Sequence, residues 1–138
     1  MAEKVSIWTE GCPQAIGHYA QAIKMNDQIW ISAQLPLDPE TGKICSEDFE
    51  EQIHQVFKNL QALITAAGGQ LSHIVNTRLY LTQPQNLKVY DEISKKYFFF
   101  QPPARTVLPV AALPGGAILQ LEATAVLPES DVKGGMLI

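Results

Sequence analysis

Arg105 is the residue with the clearest chemical use. It follows Pro102-Pro103-Ala104, where a helix-to-strand loop is expected to enter a sheet. A planar guanidinium can grip a carboxylate through two parallel hydrogen bonds, which lysine cannot copy. A small organic acid would need such an anchor. The competing use is a structural ion pair, for instance with Glu122, and the residues alone weigh the two equally. Glu122 lies between Leu121 and Ala123 in an otherwise uncharged segment, so it is expected to be paired or hydrogen-bonded. Gln120, two residues earlier on the same face, can orient water or a substrate but has no useful basicity near neutral pH. Tyr19, in Gly17-His18-Tyr19, can cap a pocket or simply pack. His18 in that loop is open to a functional role, whereas His54 reads as a surface residue beside a helix's apolar stripe. Cys12 and Cys45 form no CxxC pair and have no activating neighbours in sequence. No zinc spacing, phosphate-binding glycine loop or dinucleotide fingerprint occurs, so no metal and no cofactor is implied.

The elements that must position these residues follow from periodicity. Segments 20–25 and 28–35 flank Asn26-Asp27, both of which tolerate left-handed backbone, so a hairpin is expected. Ile53, Val56, Phe57, Leu60, Leu63, Ile64 and Ala67 make one helical stripe. Asp48 with Glu51 fits a capping box, and Gly68-Gly69 stops that helix. Residues 74–82 read as a strand. A second helix is expected from about Asn86 until Pro102-Pro103, burying Leu87, Tyr90, Ile93, Tyr97 and Phe98. Residues 104–110 form a short strand that Pro109 assigns to an edge or bulge, and 117–126 form the last strand. The order ββαβαββ is an α+β sandwich with two helices on a sheet.

One face of each long strand is apolar or nearly so: Ile29, Ile31, Ala33 and Leu35; Val75, Thr77, Leu79 and Leu81; Ala117, Leu119, Leu121, Ala123 and Ala125. Two helices can cover it. The other face mixes Trp30, Ser32 and Gln34 with Asn76, Arg78 and Tyr80 and with Gln120, Glu122 and Val126. It is too apolar for open water and too polar for a dry core, which predicts that it packs on further copies of the chain. A solvated sheet face is the plainer alternative.

With 138 residues the chain has room for one domain, expected over 1–127, followed by a loose polar tail over 128–138. Hydrophobic residues at 46% against 17% charged exclude disorder. No apolar run of membrane-spanning length occurs, and the N-terminus lacks the greasy stretch of a signal peptide. The net charge of −4 and scattered basic residues speak against nucleic acid as partner. Reduced cytoplasm is the expected compartment.

Four motifs then stand in order: QAIGHYAQA (14–22), ISAQLPLDPETG (31–42), NLQALITAAGG (59–69) and PARTVLPVAALPGGAILQLEATA (103–125). Together they resemble the Rid family, the YjgF-like reactive-intermediate deaminases, whose older labels are translation inhibitor and L-PSP endoribonuclease. The resemblance spans roughly residues 5–127. It implies a chorismate-mutase-like α+β fold, a homotrimer whose sheets line the inside, and sites in clefts between subunits. The implied activity is hydrolysis of 2-iminopropanoate or 2-iminobutanoate to the 2-keto acid and ammonia. Arg105 would anchor the substrate carboxylate, Tyr19 would line the cleft, and the backbone at Thr106 and Val107 would help hold the ligand. Ser32 and Glu122 complete the expected binding set, with Arg105 and Gln120 at the reacting centre.

The departures from the family pattern bear on chemistry. The final strand usually carries two glutamates, the first assigned to activating water. Here that position is Gln120, and only Glu122 survives, about 6–7 Å further along the strand. Loss of a general base costs on the order of 10²–10⁴ in rate. Val107 stands where cysteine is common, Ala33 where glycine is, and His18 and Ala20 replace the residues around Tyr19. Asp91 falls near an asparagine that often contacts ligand. The expected function is therefore a deaminase of small imines, possessing weakened turnover; the alternative is a binding or regulatory protein of the same fold.

Overall fold

The computed structural model describes residues 3–128, together with the backbone of a small ribbon in the tail, Val132–Lys133 paired with Met136–Leu137. The rest of the expected loose tail lies outside the described residues. Six strands form one sheet in the order β1-β2-β3-β6-β4-β5. They are β1 (Val5–Ile7), β2 (Ala22–Met25), β3 (Gln28–Gln34), β4 (Ile74–Leu81), β5 (Ala104–Pro109) and β6 (Leu119–Val126). Helices α1 (Phe49–Ala66) and α2 (Leu87–Ser94) interrupt them. Only β4 and β5 are parallel, joined by α2 as a parallel pair requires. The fold is α+β with a mixed sheet, as the sequence predicts. Strand β1 is an addition; three residues are too short for periodicity to reveal.

The local signals act where expected. Asn26 takes φ 55° in the turn between β2 and β3. The Asp48 carboxylate accepts the Glu51 N–H at 3.0 Å and caps α1. At the other end Gly68 adopts φ +91°, and Gly69 N–H reaches the Ile64 carbonyl at 2.8 Å. Between these ends all seven residues of the predicted stripe are buried. Each large member contributes about 1.5–3 kcal/mol on burial.

Helix α2 corrects an expectation. It ends at Ser94, eight positions before the prolines, because Lys96 and Tyr97 bond three residues back to Ile93 and Ser94, tightening the last turn. Tyr97 nevertheless reaches the core, stacking on Phe57 with ring centroids 4.2 Å apart.

Ile29, Ile31, Thr77, Leu79 and Leu81, and the alternate residues from Ala117 to Ala125, face the helices and are buried. Two departures share one cause. Register shifts between Ile74 and Asn76, so Ile74 turns inward and Val75 is left 47% exposed. Register shifts again between Ile31 and Gln34, so Gln34 is buried, its amide donating to the Ser32 carbonyl, and Ala33 is only half-buried. One extra residue in a strand exchanges its two faces. The opposite face keeps Trp30 and Val126 exposed beside Arg78 and Glu122, the mixed surface expected. Among the described residues no helix is long and apolar enough to cross a membrane.

Candidate functional site

β5 lies at the sheet edge, so one side of its ladder is open, which is where Pro109 is tolerated. In the parallel register Arg105 stands opposite Thr77, whose side chain is buried on the helix side. Arg105 therefore turns toward α2. There a groove of about 880 Å³ opens, lined by Tyr90, Asp91, Phe98, Phe99, Pro103 and Arg105 among others. Phe99 is 81% exposed and gives the groove an apolar rim.

The Arg105 guanidinium donates from Nη1 to the Asp91 carboxylate, and the two side chains are 34% and 39% exposed. Asp91 is its only protein partner among the described residues. Arginine has five N–H donors, so most of its capacity faces the groove and solvent. Tyr90 forms part of the floor. Burial holds its phenol well above the usual range, with Asp91 adding and Arg105 opposing.

Glu122 is not the partner of Arg105. It lies on the mixed face, 3.7 Å from Arg78, and accepts the Tyr80 hydroxyl. That hydrogen bond, followed by desolvation, raises the Tyr80 phenol. The ion pair weighed against a functional Arg105 exists, but with Asp91 as the acid, because alternation sends Arg105 and Glu122 to opposite faces. Gln120, half-buried, stands opposite Tyr80 on the mixed face. Thr106 stands opposite Arg78 on that face, and Val107 turns back toward Leu79 and the core.

Tyr19 and Ser32 form a third group. The Ser32 hydroxyl donates to the Ala20 carbonyl at 2.6 Å, and the Tyr19 hydroxyl accepts from Ile16 N–H at 3.3 Å. The tyrosine ring is half-exposed beside a small recess that Ala33 and Gln34 also line. β3 and β5 are three strand spacings apart, about 14 Å. Within one chain, then, the expected site residues occupy three places: Arg105 in the groove, Gln120, Thr106 and Glu122 on the sheet face, and Tyr19 with Ser32 beyond β6. Phe99 is the groove residue that sequence reasoning leaves without a role, and Asp91, placed by the resemblance near a ligand-contacting position, is not expected from the sequence as the partner of Arg105. The helical spacing that buries Tyr90 also carries Asp91 to the β5 side.

Neither cysteine is poised to react. Burial pushes the Cys12 thiol up to about 11, and desolvation also raises Cys45. His54 is less of a surface residue than expected: it is half-buried, with Nδ1 hydrogen-bonded to the Tyr97 hydroxyl.

The model of the family described as Endoribonuclease L-PSP matches residues 9–127. The chain is similar to the chloroplastic Reactive Intermediate Deaminase A of Arabidopsis thaliana, 42% identical over 91% of this chain and 67% of that protein. It is similar to the 2-iminobutanoate/2-iminopropanoate deaminase of Homo sapiens, 37% identical over 87% of this chain and 88% of the other. Among solved structures, Escherichia coli TdcF with bound serine superposes with a TM-score of 0.85 at 30% identity, over 90% of this chain and 99% of that one.

Proposed function

The chain belongs to the endoribonuclease L-PSP (Rid) family, and from that premise we propose that it binds small 2-imino and 2-keto acids and hydrolyses 2-iminobutanoate and 2-iminopropanoate. One observation carries the reading: the Arg105 guanidinium stands at the edge of an open groove, with Asp91 as its single acidic partner among the described residues and with donors to spare. The deaminase names of the human and plant relatives support it, as does the serine bound to TdcF, a small molecule with the carboxylate that Arg105 would grip.

The chemistry asks for an anchored carboxylate, a water aimed at the imine carbon and a path for its proton. Arg105 supplies the anchor. Water adds its oxygen to C2, a proton moves to nitrogen, and the C–N bond breaks to give the keto acid and ammonia. Gln120 faces away from the Arg105 of its own chain, so the Gln120 that reaches the imine would come from a neighbouring copy. It can hold that water by its amide but cannot take its proton, and turnover is slow rather than absent.

We propose further that the protein works as a homotrimer built from the domain over 1–127. Tyr19 and Ser32 of one copy would then complete the cleft around Arg105 of the next. The exposed Trp30 and Val126 on the mixed face, and the 14 Å or so between β3 and β5 within one chain, support this arrangement. The cytoplasm is the proposed compartment, in keeping with two free cysteines. The nuclease in the family's label is not carried over, since a net charge of −4 is a poor match for a phosphate backbone.

The test generates 2-iminobutanoate with an amino-acid oxidase and follows its decay with wild type and with Arg105→Ala. Faster decay with wild type that disappears in the variant is expected. Decay that wild type leaves unchanged overturns the deaminase. Gln120 favours one second reading, a small-acid binding protein without turnover. That reading expects 2-ketobutanoate binding that depends on Arg105 while imine decay stays at the background rate.

A further inference from the structure

Asp91 sits at the anchor that the proposed function gives to the substrate carboxylate, and its charge has a consequence for which ligands the groove takes. We propose that the Arg105–Asp91 pair selects ligands bearing a cationic nitrogen next to their carboxylate, and so holds the imine substrate while disfavouring the keto-acid product. This inference rests on the small-acid reading of the groove.

Both partners are partly exposed, so a ligand in the groove can touch each of them. The neighbouring acid, Glu92, is turned to Lys95 at 3.3 Å, which leaves Asp91 as the carboxylate bonded to the guanidinium. Lys88, Lys95 and Arg105 outnumber Asp91 and Glu92 in the groove lining, which is net positive. At long range it therefore draws organic anions in. At contact range Asp91 discriminates. A bare carboxylate reaching Arg105 must share the guanidinium with the Asp91 carboxylate, and the two like charges at that range repel. A protonated 2-imino acid, or a 2-amino acid, places its carboxylate on Arg105 and its N–H donors on Asp91, two charge-assisted hydrogen bonds to one pair.

Hydrolysis removes the feature that Asp91 recognises. Protonated imine and water become keto acid and ammonium: the water oxygen bonds to C2, the C–N bond breaks, and the positive charge departs with the nitrogen. The keto acid left behind is a plain anion facing Asp91. Asp91 thus acts as a specificity residue whose contact exists before the reaction and is lost after it.

Calorimetric titration with 2-aminobutanoate and 2-ketobutanoate, near-isosteres that differ in this charge, tests the idea. Wild type is expected to prefer the amino acid roughly tenfold, allowing for the exposure of the pair. Asp91→Asn, which keeps the shape, and Asp91→Ala should both erase that preference by weakening the amino acid and tightening the keto acid. A purely structural Asp91 would weaken both ligands together, and that result overturns the inference. So does equal affinity of wild type for the two ligands, or a preference that survives Asp91→Asn. If in those cases 2-ketobutanoate binding still disappears in Arg105→Ala, the proposed function stands without the selectivity. If neither ligand binds wild type, both fall.

Discussion

On the proposed deaminase reading, replacing Gln120 by glutamate should raise the rate of imine hydrolysis, and the structure bounds the cost. The substitution is isosteric, so the half-buried position opposite Tyr80 needs no repacking. The new carboxylate would share its face with Glu122, two residues on and therefore roughly 6.5 Å away. At that distance two like charges repel by about 0.6 kcal/mol in water and about 2.6 kcal/mol at an effective dielectric near 20. Arg78, close to Glu122 on the next strand, offsets part of this. The same repulsion lifts the pKa of the new group above the usual glutamate range, nearer to what a general base needs at neutral pH. Stability should fall by about 1–2 kcal/mol, near 3 °C in Tm for each kcal/mol in a chain of this size. Against that cost stands a gain of at least about 10²-fold in kcat/KM. The assay is 2-iminobutanoate decay under first-order conditions, with a thermal melt of each protein. Equal turnover by wild type and Gln120→Glu, with both folded and both binding 2-ketobutanoate through Arg105, would refute the assignment of this position to water activation.

The remaining predictions concern the anchor, the frame and the assembly. Arg105→Lys should still lose about tenfold in 2-ketobutanoate affinity by calorimetry, because a point charge cannot form the paired hydrogen bonds. Gln52→Leu removes the amide that donates to the Ser46 carbonyl at 2.8 Å and accepts from Ile118 N–H at 2.9 Å, leaving both groups unsatisfied. A loss of about 2–4 kcal/mol, or roughly 6–12 °C in Tm, is expected from differential scanning calorimetry. Burial holds the Cys12 thiol at about 11 against 9.0 in the open chain. Above pH 9 the unfolded state gives up this proton first, so the contribution is intact below pH 9 and fades as pH climbs through about 11. It is worth up to about 2–3 kcal/mol, and Cys12→Ala should show a shallower fall in Tm between pH 8 and 11 than wild type. Mixing unfolded Arg105→Ala and Tyr19→Ala chains and refolding them together should restore about a quarter of the clefts if each cleft draws these residues from two copies. Ligand binding no better than that of the separate variants would argue for a site within one chain.

The fold was legible wherever one interaction decides one residue's side. Helix α1 could be read to its ends because its stripe, its Asp48 cap and its Gly68 stop are all local. The β2–β3 turn and the edge placement of β5 were legible for the same reason: Asn26 and Pro109 constrain their own backbone. Alternation failed at Val75 and Gln34, where each strand carries an irregularity. A shift of register is a property of the pair of strands, set by what the partner offers, and neither sequence segment announces it alone. The end of α2 was misplaced because prolines mark where a helix must have ended, not where carbonyls at Ile93 and Ser94 find tighter partners first.

The site was legible residue by residue but not as a constellation. Arg105 could be singled out from its chemistry, yet its partner could not, since Asp91 lies fourteen positions away on another element and Glu122 seventeen positions away on another face. Parity within a strand would have separated Arg105 from Thr106, but the parallel register with β4 is what fixes which of them meets α2. The deeper obstacle is that strand order, not spacing, sets distance. β6 and β4 lie between β3 and β5 in the sheet although both differ widely in sequence position. Tyr19 and Arg105 therefore cannot share a small ligand inside one sheet, whatever their motifs share. A cleft that uses both must draw them from different sheets, and a closed ring of copies provides that relation with one interface repeated.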